Sequence, residues 1–325
     1  MQLIRLILLS SSVFLFSNAA ISQTFPAPNK PIRLIVGFAP GGGTDIVARA
    51  LAPKIGEILG QSVIVETRSG AAGTIAADMV SKSAPDGHTL LMGHSNSNAI
   101  APFVLAKVPY NAANDFTPIT YVGYVPNILA INPNIPANTV AELVSLAKSK
   151  PGQLTYGSSG TGSTQHLAGA LFGKISQIEI NHIPYKGSGQ AIIDLLAGQI
   201  TMNFDTMPPV LEHIRAGKLR ALAISTPKRL DLLSQVPTFS EVGIQGFDVT
   251  NWYAIIGPKG MAPEVVTKID RAVRGAMSEP AIKSTLDAQG LQTSGPSTPE
   301  AFGTFIKAEL DKYSKMVKEL NIKSE

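Results

Sequence analysis

The sequence predicts an α/β fold in two domains, each a parallel sheet with helices on both faces. Short apolar runs alternate with segments of helical periodicity from residue 32 onward, which is the pattern of such a sheet. The strand candidates number about nine, more than one open sheet comfortably holds. The chain has 325 residues and 44 % hydrophobic content, enough for about two globular domains.

The elements follow in order. Ile32 to Val36, Val63 to Val65 and Thr89 to Met92 read as buried strands, with helices at Asp45 to Leu59 and Thr74 to Ser81 between them. Gly60 stands where a helix C′ glycine belongs, and Pro85-Asp86-Gly87 reads as a turn. The alternation resumes with a strand at Asn127 to Ile131 and a helix opened by the capping-box pair Thr139 and Glu142. Further strands are predicted near Leu154 to Tyr156, Ile178 to Ile183, Ile200 to Phe204 and Leu219 to Ile224. There the alternation stops. Pro263 and Pro299 open two C-terminal helices, and Phe302, Phe305, Ile306, Leu310, Tyr313, Val317 and Leu320 form a packing stripe on the second.

Residues 1–22 read as a secretory signal peptide. Arg5 precedes an apolar run from Leu6 to Phe16, followed by small residues, and cleavage after Ala19 or after Ser22 satisfies the small-residue rule. No later run reaches the ~18 apolar residues of a membrane span. The chain has no cysteine, which excludes disulfides, thiolate metal sites, a cysteine nucleophile and a lipobox anchor. The expected product is soluble and exported to the periplasm. Lys and Arg total 27 against 23 Asp and Glu, a net charge of +4 without basic runs; nucleic acid is not an expected partner.

Two glycine-rich loops share one design. Phe38-Ala39-Pro40-Gly41-Gly42-Gly43-Thr44-Asp45 and Gly157-Ser158-Ser159-Gly160-Thr161-Gly162-Ser163-Thr164 each follow a strand and open a helix. That is where open α/β sheets place ligands. Known enzyme motifs fail on both. A dinucleotide fingerprint counted from Gly41 and Gly43 meets Ile46 in place of its third glycine; a Walker loop at Gly173-Lys174 is followed by Ile175; and a nucleophile elbow from Gly157 ends on Thr161. What remains is backbone N–H groups at two helix starts, each carrying about half a positive charge. They suit a carboxylate, although a plain tight turn with a capping residue explains either loop alone.

The five histidines, His88, His94, His166, His182 and His213, show no i, i+4 pair and no neighbouring acidic cluster, so neither a metal nor a cofactor is expected. His94, beside Ser95 at a strand end, and His166, just inside the second loop, are placed to line a pocket. Asp205 and Trp252-Tyr253 read equally as cleft lining or as packing.

The runs Pro31 to Asp45, Ser69 to Thr74, Pro85 to Leu91, Tyr156 to Ser163 and Pro184 to Gly189, with Phe204-Asp205, Pro237 to Glu241 and Asn251 to Tyr253, together resemble the Bug (TctC-like) family. These are periplasmic solute-binding proteins of tripartite tricarboxylate transporters. The resemblance implies a two-lobed flytrap, each lobe a mainly parallel sheet flanked by helices. One lobe would comprise residues 23–126 plus 253–325 and the other 127–252, with crossings near Tyr124 to Ile128 and Val249 to Ala254. It implies that one carboxylate is held through Ala39, Gly42, Gly43, Thr44 and Asp45 of the first lobe and Ser158, Gly160, Thr161 and Ser163 of the second. Phe38, Ser95, His166 and Asp205 complete the candidate lining. The stretch Gly93 to Phe103 departs from relatives, which often carry an asparagine-proline turn there, and is expected to face the ligand's far end. The implied protein has no catalytic residues and is partnered by a small carboxylate and by the transporter's membrane subunits; a monomer suits such a shuttle. Two rivals remain, a ligand sensor for a membrane signalling protein and a periplasmic hydrolase using Ser158 or Ser163 with His166.

Overall fold

The computed structural model describes residues 25–322; the predicted signal peptide lies outside the described residues. The first part of the chain builds β1 (Ile32–Val36), α1 (Gly43–Leu59), β2 (Val63–Thr67), α2 (Thr74–Ser81), β3 (Thr89–His94), a π turn (Asn96–Ile100), α3 (Ala101–Val104) and β4 (Phe116–Val125). Next come β5 (Asn127–Ile131), α4 (Val140–Ser149), β6 (Leu154–Ser158), α5 (Thr164–Ser176), β7 (Ile180–Pro184), α6 (Ser188–Leu196), β8 (Met202–Thr206), α7 (Met207–Arg215) and β9 (Arg220–Ile224). The chain closes with β10 (Asn251–Pro258), α8 (Pro263–Ser278), α9 (Pro280–Ala288) and α10 (Pro299–Leu320).

These strands form two five-stranded sheets, ordered β2-β1-β3-β10-β4 and β7-β6-β8-β5-β9. In the first, β1 pairs parallel with β2 and β3, while β10 runs antiparallel between β3 and β4. In the second, β6 pairs parallel with β7 and β8, and β5 runs antiparallel between β8 and β9. Four strands of each sheet therefore point one way and the fifth opposes them. The opposing strands are the ones at the crossings: only Pro126 separates the end of β4 from the start of β5, and β10 returns from the second sheet to the first.

Burial follows position in the sheet. The inserted strands β5 and β10 are buried along their whole length, whereas the edge strands β2 and β7 are mostly half-exposed. On one face of the first sheet, Leu34 and Val36 pack with Val47 and Leu51 of α1 and Ile269 of α8. On the other, Ile35 and Leu91 pack with Trp252 and with Phe302, Ile306 and Tyr313 of α10. The predicted stripe of α10 is thus core. Tyr313 donates to the Thr250 carbonyl at 3.1 Å, and the Trp252 indole donates to Glu309 at 3.0 Å, so α10 also bolts down the returning strand. No described helix is long and apolar enough to cross a membrane.

Several boundaries move from their predicted places. The strand predicted at Ile200 to Phe204 lies at Met202–Thr206 and includes Asp205, whose carboxylate accepts from Ser188 of α6 and from Asn203 of the same strand. The strand predicted at Ile178 to Ile183 lies at Ile180–Pro184, and that at Leu154 to Tyr156 extends to Ser158. Thr139 caps α4 by accepting from the Glu142 amide at 3.1 Å, but the Glu142 carboxylate accepts from Asn138 rather than from the cap itself. Helices α6, α7 and α9 were not predicted. They are short, and α7 opens with two prolines that read as loop.

Candidate functional site

The first loop delivers α1 with an uncapped start. Gly41 takes a left-handed φ of 81°, which only glycine adopts cheaply, and Gly42 is the N-cap, with no side chain to offer the helix. The first-turn N–H groups of Gly43, Thr44 and Asp45 therefore lack both an intrahelical partner and a side-chain cap. A Cβ placed on Gly43 would fall 2.6 Å from Tyr253 Oη, 3.5 Å from Pro208 Cγ and 3.7 Å from Thr206 Oγ1. The start of α1 thus faces the returning strand and the start of α7, with one lobe on each side. Tyr253 is buried beside the Thr44 and Thr206 side chains, and burial raises its pKa so that the hydroxyl stays protonated.

Asp45 turns away from this opening. Its carboxylate accepts from the Gly41 amide at 3.0 Å and from Arg49 Nε at 2.9 Å, so the side chain braces the loop and only its amide faces the site. The Ala39 carbonyl accepts from Gly42 N at 3.3 Å, and the Phe38 ring packs, tilted by 47°, 4.6 Å from His94, which lies 5.3 Å from Tyr253. His94 is fully buried, and desolvation lowers its pKa to about 3. The neutral ring accepts the Asn96 amide at Nδ1, 2.9 Å away, so His94 holds the turn after β3.

The second loop is built differently. Ser158 Oγ pairs with His182 Nε2 at 2.6 Å and accepts from Gly160 N at 3.1 Å; Gly162 N donates to His166 Nδ1 at 3.3 Å. The His166 and His182 rings stack 3.8 Å apart. Burial lowers their pKa values to about 4 and about 3, with His166 adding to the shift of His182. Ser163 is the N-cap of α5 and accepts from the His166 amide at 3.3 Å. Ser158, Gly160, Ser163 and His166 are thus engaged with one another, leaving half-buried Thr161 at the loop's tip. The pairings named for the hydrolase reading, Ser158 or Ser163 with the His166 ring, do not form: Ser158 meets His182, and Ser163 meets only the main chain of His166.

Asp205 is fully buried where three helices of the second lobe begin. Its oxygens accept from Gln165 Nε2 of α5 at 3.3 Å, from Ser188 Oγ of α6, and from the amide of Thr206, the N-cap of α7, at 2.8 Å. Asn203 adds a fourth donor at 3.1 Å. Desolvation raises the pKa of Asp205 while these hydrogen bonds oppose it, and no cation contributes. Both oxygens are occupied by the lobe's own donors. The carboxylate therefore organises helix starts.

A third polar group ties the two crossings together. Asn127 and Asn251, one at each crossing, bond through their side chains at 3.0 Å, and Asn251 also meets Ser95 and Thr164. Reading the sequence missed Thr206, and it named Asn96, Thr164 and Asn251 without finding their roles, which come from contacts between distant segments. The one available signal was their placement at strand ends and helix starts. Among the described residues no group of three His, Asp or Glu side chains is placed to hold a metal ion.

The comparisons with known proteins agree on the family. A family model for tripartite tricarboxylate transporter family receptors (TctC) matches residues 47–322. Protein BugT of Bordetella pertussis is 38 % identical over 303 residues, covering 93 % of this chain and 92 % of its own. A solved periplasmic transporter is 40 % identical with a TM-score of 0.87, over 91 % of this chain and 99 % of that one. A solved R. palustris protein with adipate is 34 % identical with a TM-score of 0.87, over 91 % and 98 %. The chain belongs to the TctC (Bug) family of solute-binding receptors.

Proposed function

We propose that this chain is an extracytoplasmic receptor that captures a small carboxylate between its lobes and delivers it to the membrane subunits of a tripartite tricarboxylate-type transporter. The observation that carries the reading is the uncapped start of α1, facing the Tyr253 hydroxyl and the start of α7. A carboxylate placed there accepts from the amides of Gly43, Thr44 and Asp45, each contact worth about 0.3–2 kcal/mol depending on burial. Thr44 and Tyr253 supply hydroxyls, and Thr161 and Thr206 approach from the second lobe. The adipate held by the R. palustris relative supports this ligand class.

Neutral donors suit a receptor, because a ligand that must be surrendered is poorly served by a fixed ion pair. Closure follows from the higher affinity of the closed form, whose second lobe completes the shell. The lobes comprise residues 23–126 with 253–325 and residues 127–252, the leader directs the chain to the periplasm, the receptor works as a monomer, and no bond of the ligand changes. A melting panel of mono-, di- and tricarboxylates against their amides tests the reading. Ligand at a hundredfold over its Kd stabilises by about 2.7 kcal/mol. A shift with an acid and none with its amide supports the proposal; equal shifts with both contradict it.

A further inference from the structure

Helix α5 begins in the second lobe, yet its first amide is capped from the first. Thr164 N donates to Asn96 Oδ1 at 2.9 Å, and Thr164 Oγ1 donates to Asn251 Oδ1, which Ser95 Oγ also approaches at 3.5 Å. Ser95, Asn96, Thr164 and Asn251 are each at most 1 % exposed. Beside them a Cβ on Gly162 would meet Val104 at 3.4 Å. The contact excludes water. Asn96 is the first residue of the π turn, a rare geometry that concentrates at functional sites, and its own amide is fixed by His94.

A helix-start amide needs an acceptor. With the lobes apart, water serves Thr164; with the lobes together, only Asn96 is placed to do so. We infer that Asn96 is a positioning residue that latches the closed cleft through Thr164 and thereby sets ligand affinity without holding the ligand. The inference rests on the cleft being the ligand site. Apparent Kd is the intrinsic value divided by the fraction of binding-competent molecules, so losing the latch weakens every ligand by one common factor. Losing a contact to the ligand alters the order of preference instead.

Thr164→Pro removes the donor amide together with the hydroxyl that meets Asn251, and Thr164→Val, which loses the hydroxyl alone, is its control. Proline is favoured at the first helical position, and Ser163 already has φ −81° and ψ 160°, the extended backbone that a residue before proline adopts. Asn96→Ala removes the acceptor, and Asn96→Asp keeps one. Calorimetry over a panel of acids is expected to show Asn96→Ala and Thr164→Pro each weakening all bound acids by about tenfold, with Asn96→Asp restoring most of the loss. The double variant loses no more than either single one. Small-angle scattering is expected to show ligand-free Asn96→Ala more expanded than the wild type. Unchanged affinities, factors that differ among acids, or losses that add in the double variant overturn the latch. If the wild type binds no acid, the carboxylate reading fails by itself, and equal scattering radii then overturn the latch independently.

Discussion

The Tyr253 hydroxyl stands 2.6 Å from the point at which Gly43 would carry a Cβ. The start of α1 therefore has room for its amides and for nothing added. Gly43→Val is predicted to weaken carboxylate binding by at least about tenfold, since a lost charge-assisted hydrogen bond alone is worth about 1.5–3 kcal/mol. Gly43 is already helical, so far-ultraviolet circular dichroism should be unchanged. Calorimetric affinity equal to wild type would count against the site.

Tyr253→Phe removes one hydroxyl while keeping the ring that packs 5.3 Å from His94. The Thr44 and Thr206 side chains, one from each lobe, lose a polar neighbour. Stability is expected to fall by about 0.5–1.5 kcal/mol in urea titration, with weaker ligand binding beside it. A variant that binds as tightly as wild type would remove Tyr253 from the proposed shell.

Trp252 and Glu309 test the bolt between the returning strand and the last helix. Glu309→Leu leaves a buried indole N–H without its acceptor, at a cost of about 1–3 kcal/mol. Lys312 reaches the other Glu309 oxygen at 2.7 Å from a partly exposed position, so Lys312→Ala should cost under about 1 kcal/mol. Equal losses in denaturant titrations of the two variants would contradict this ranking.

Acid should destabilise the fold before ordinary carboxylates titrate. His94 and His166 have pKa values lowered to about 3 and about 4 from 6.5. A depressed histidine lends stability that is whole above the unfolded pKa and is lost as pH falls toward the folded one, because the unfolded chain takes up the proton first. Each then costs up to about 1.4 kcal/mol per pH unit. Urea midpoints at pH 7, 6 and 5 should decline in that order, and a level profile would show that the rings titrate normally.

The parts legible in the sequence are those written in local pattern. The β1-to-α1 junction and the Gly60 C-cap, with its φ of 69°, follow from short-range chemistry. So does the α10 stripe. Asp205 was placed after its strand because hydrophobic periodicity does not register a polar residue whose partners are Gln165 and Ser188. The two glycine-rich loops look alike as sequence but differ in use, since only the second is stitched by histidines and capped from across the cleft. Asn96 and Thr164 lie 68 residues apart, and no local rule joins them.

The insertion of β10 between β3 and β4 has a consequence for assembly. A chain emerging from its N-terminus has every strand of the second sheet once Ile224 is out. Strand β4, whose sole neighbour in its sheet is β10, must wait for residues 251–258 to arrive. The half of the molecule that is synthesised first is therefore the half that is finished last.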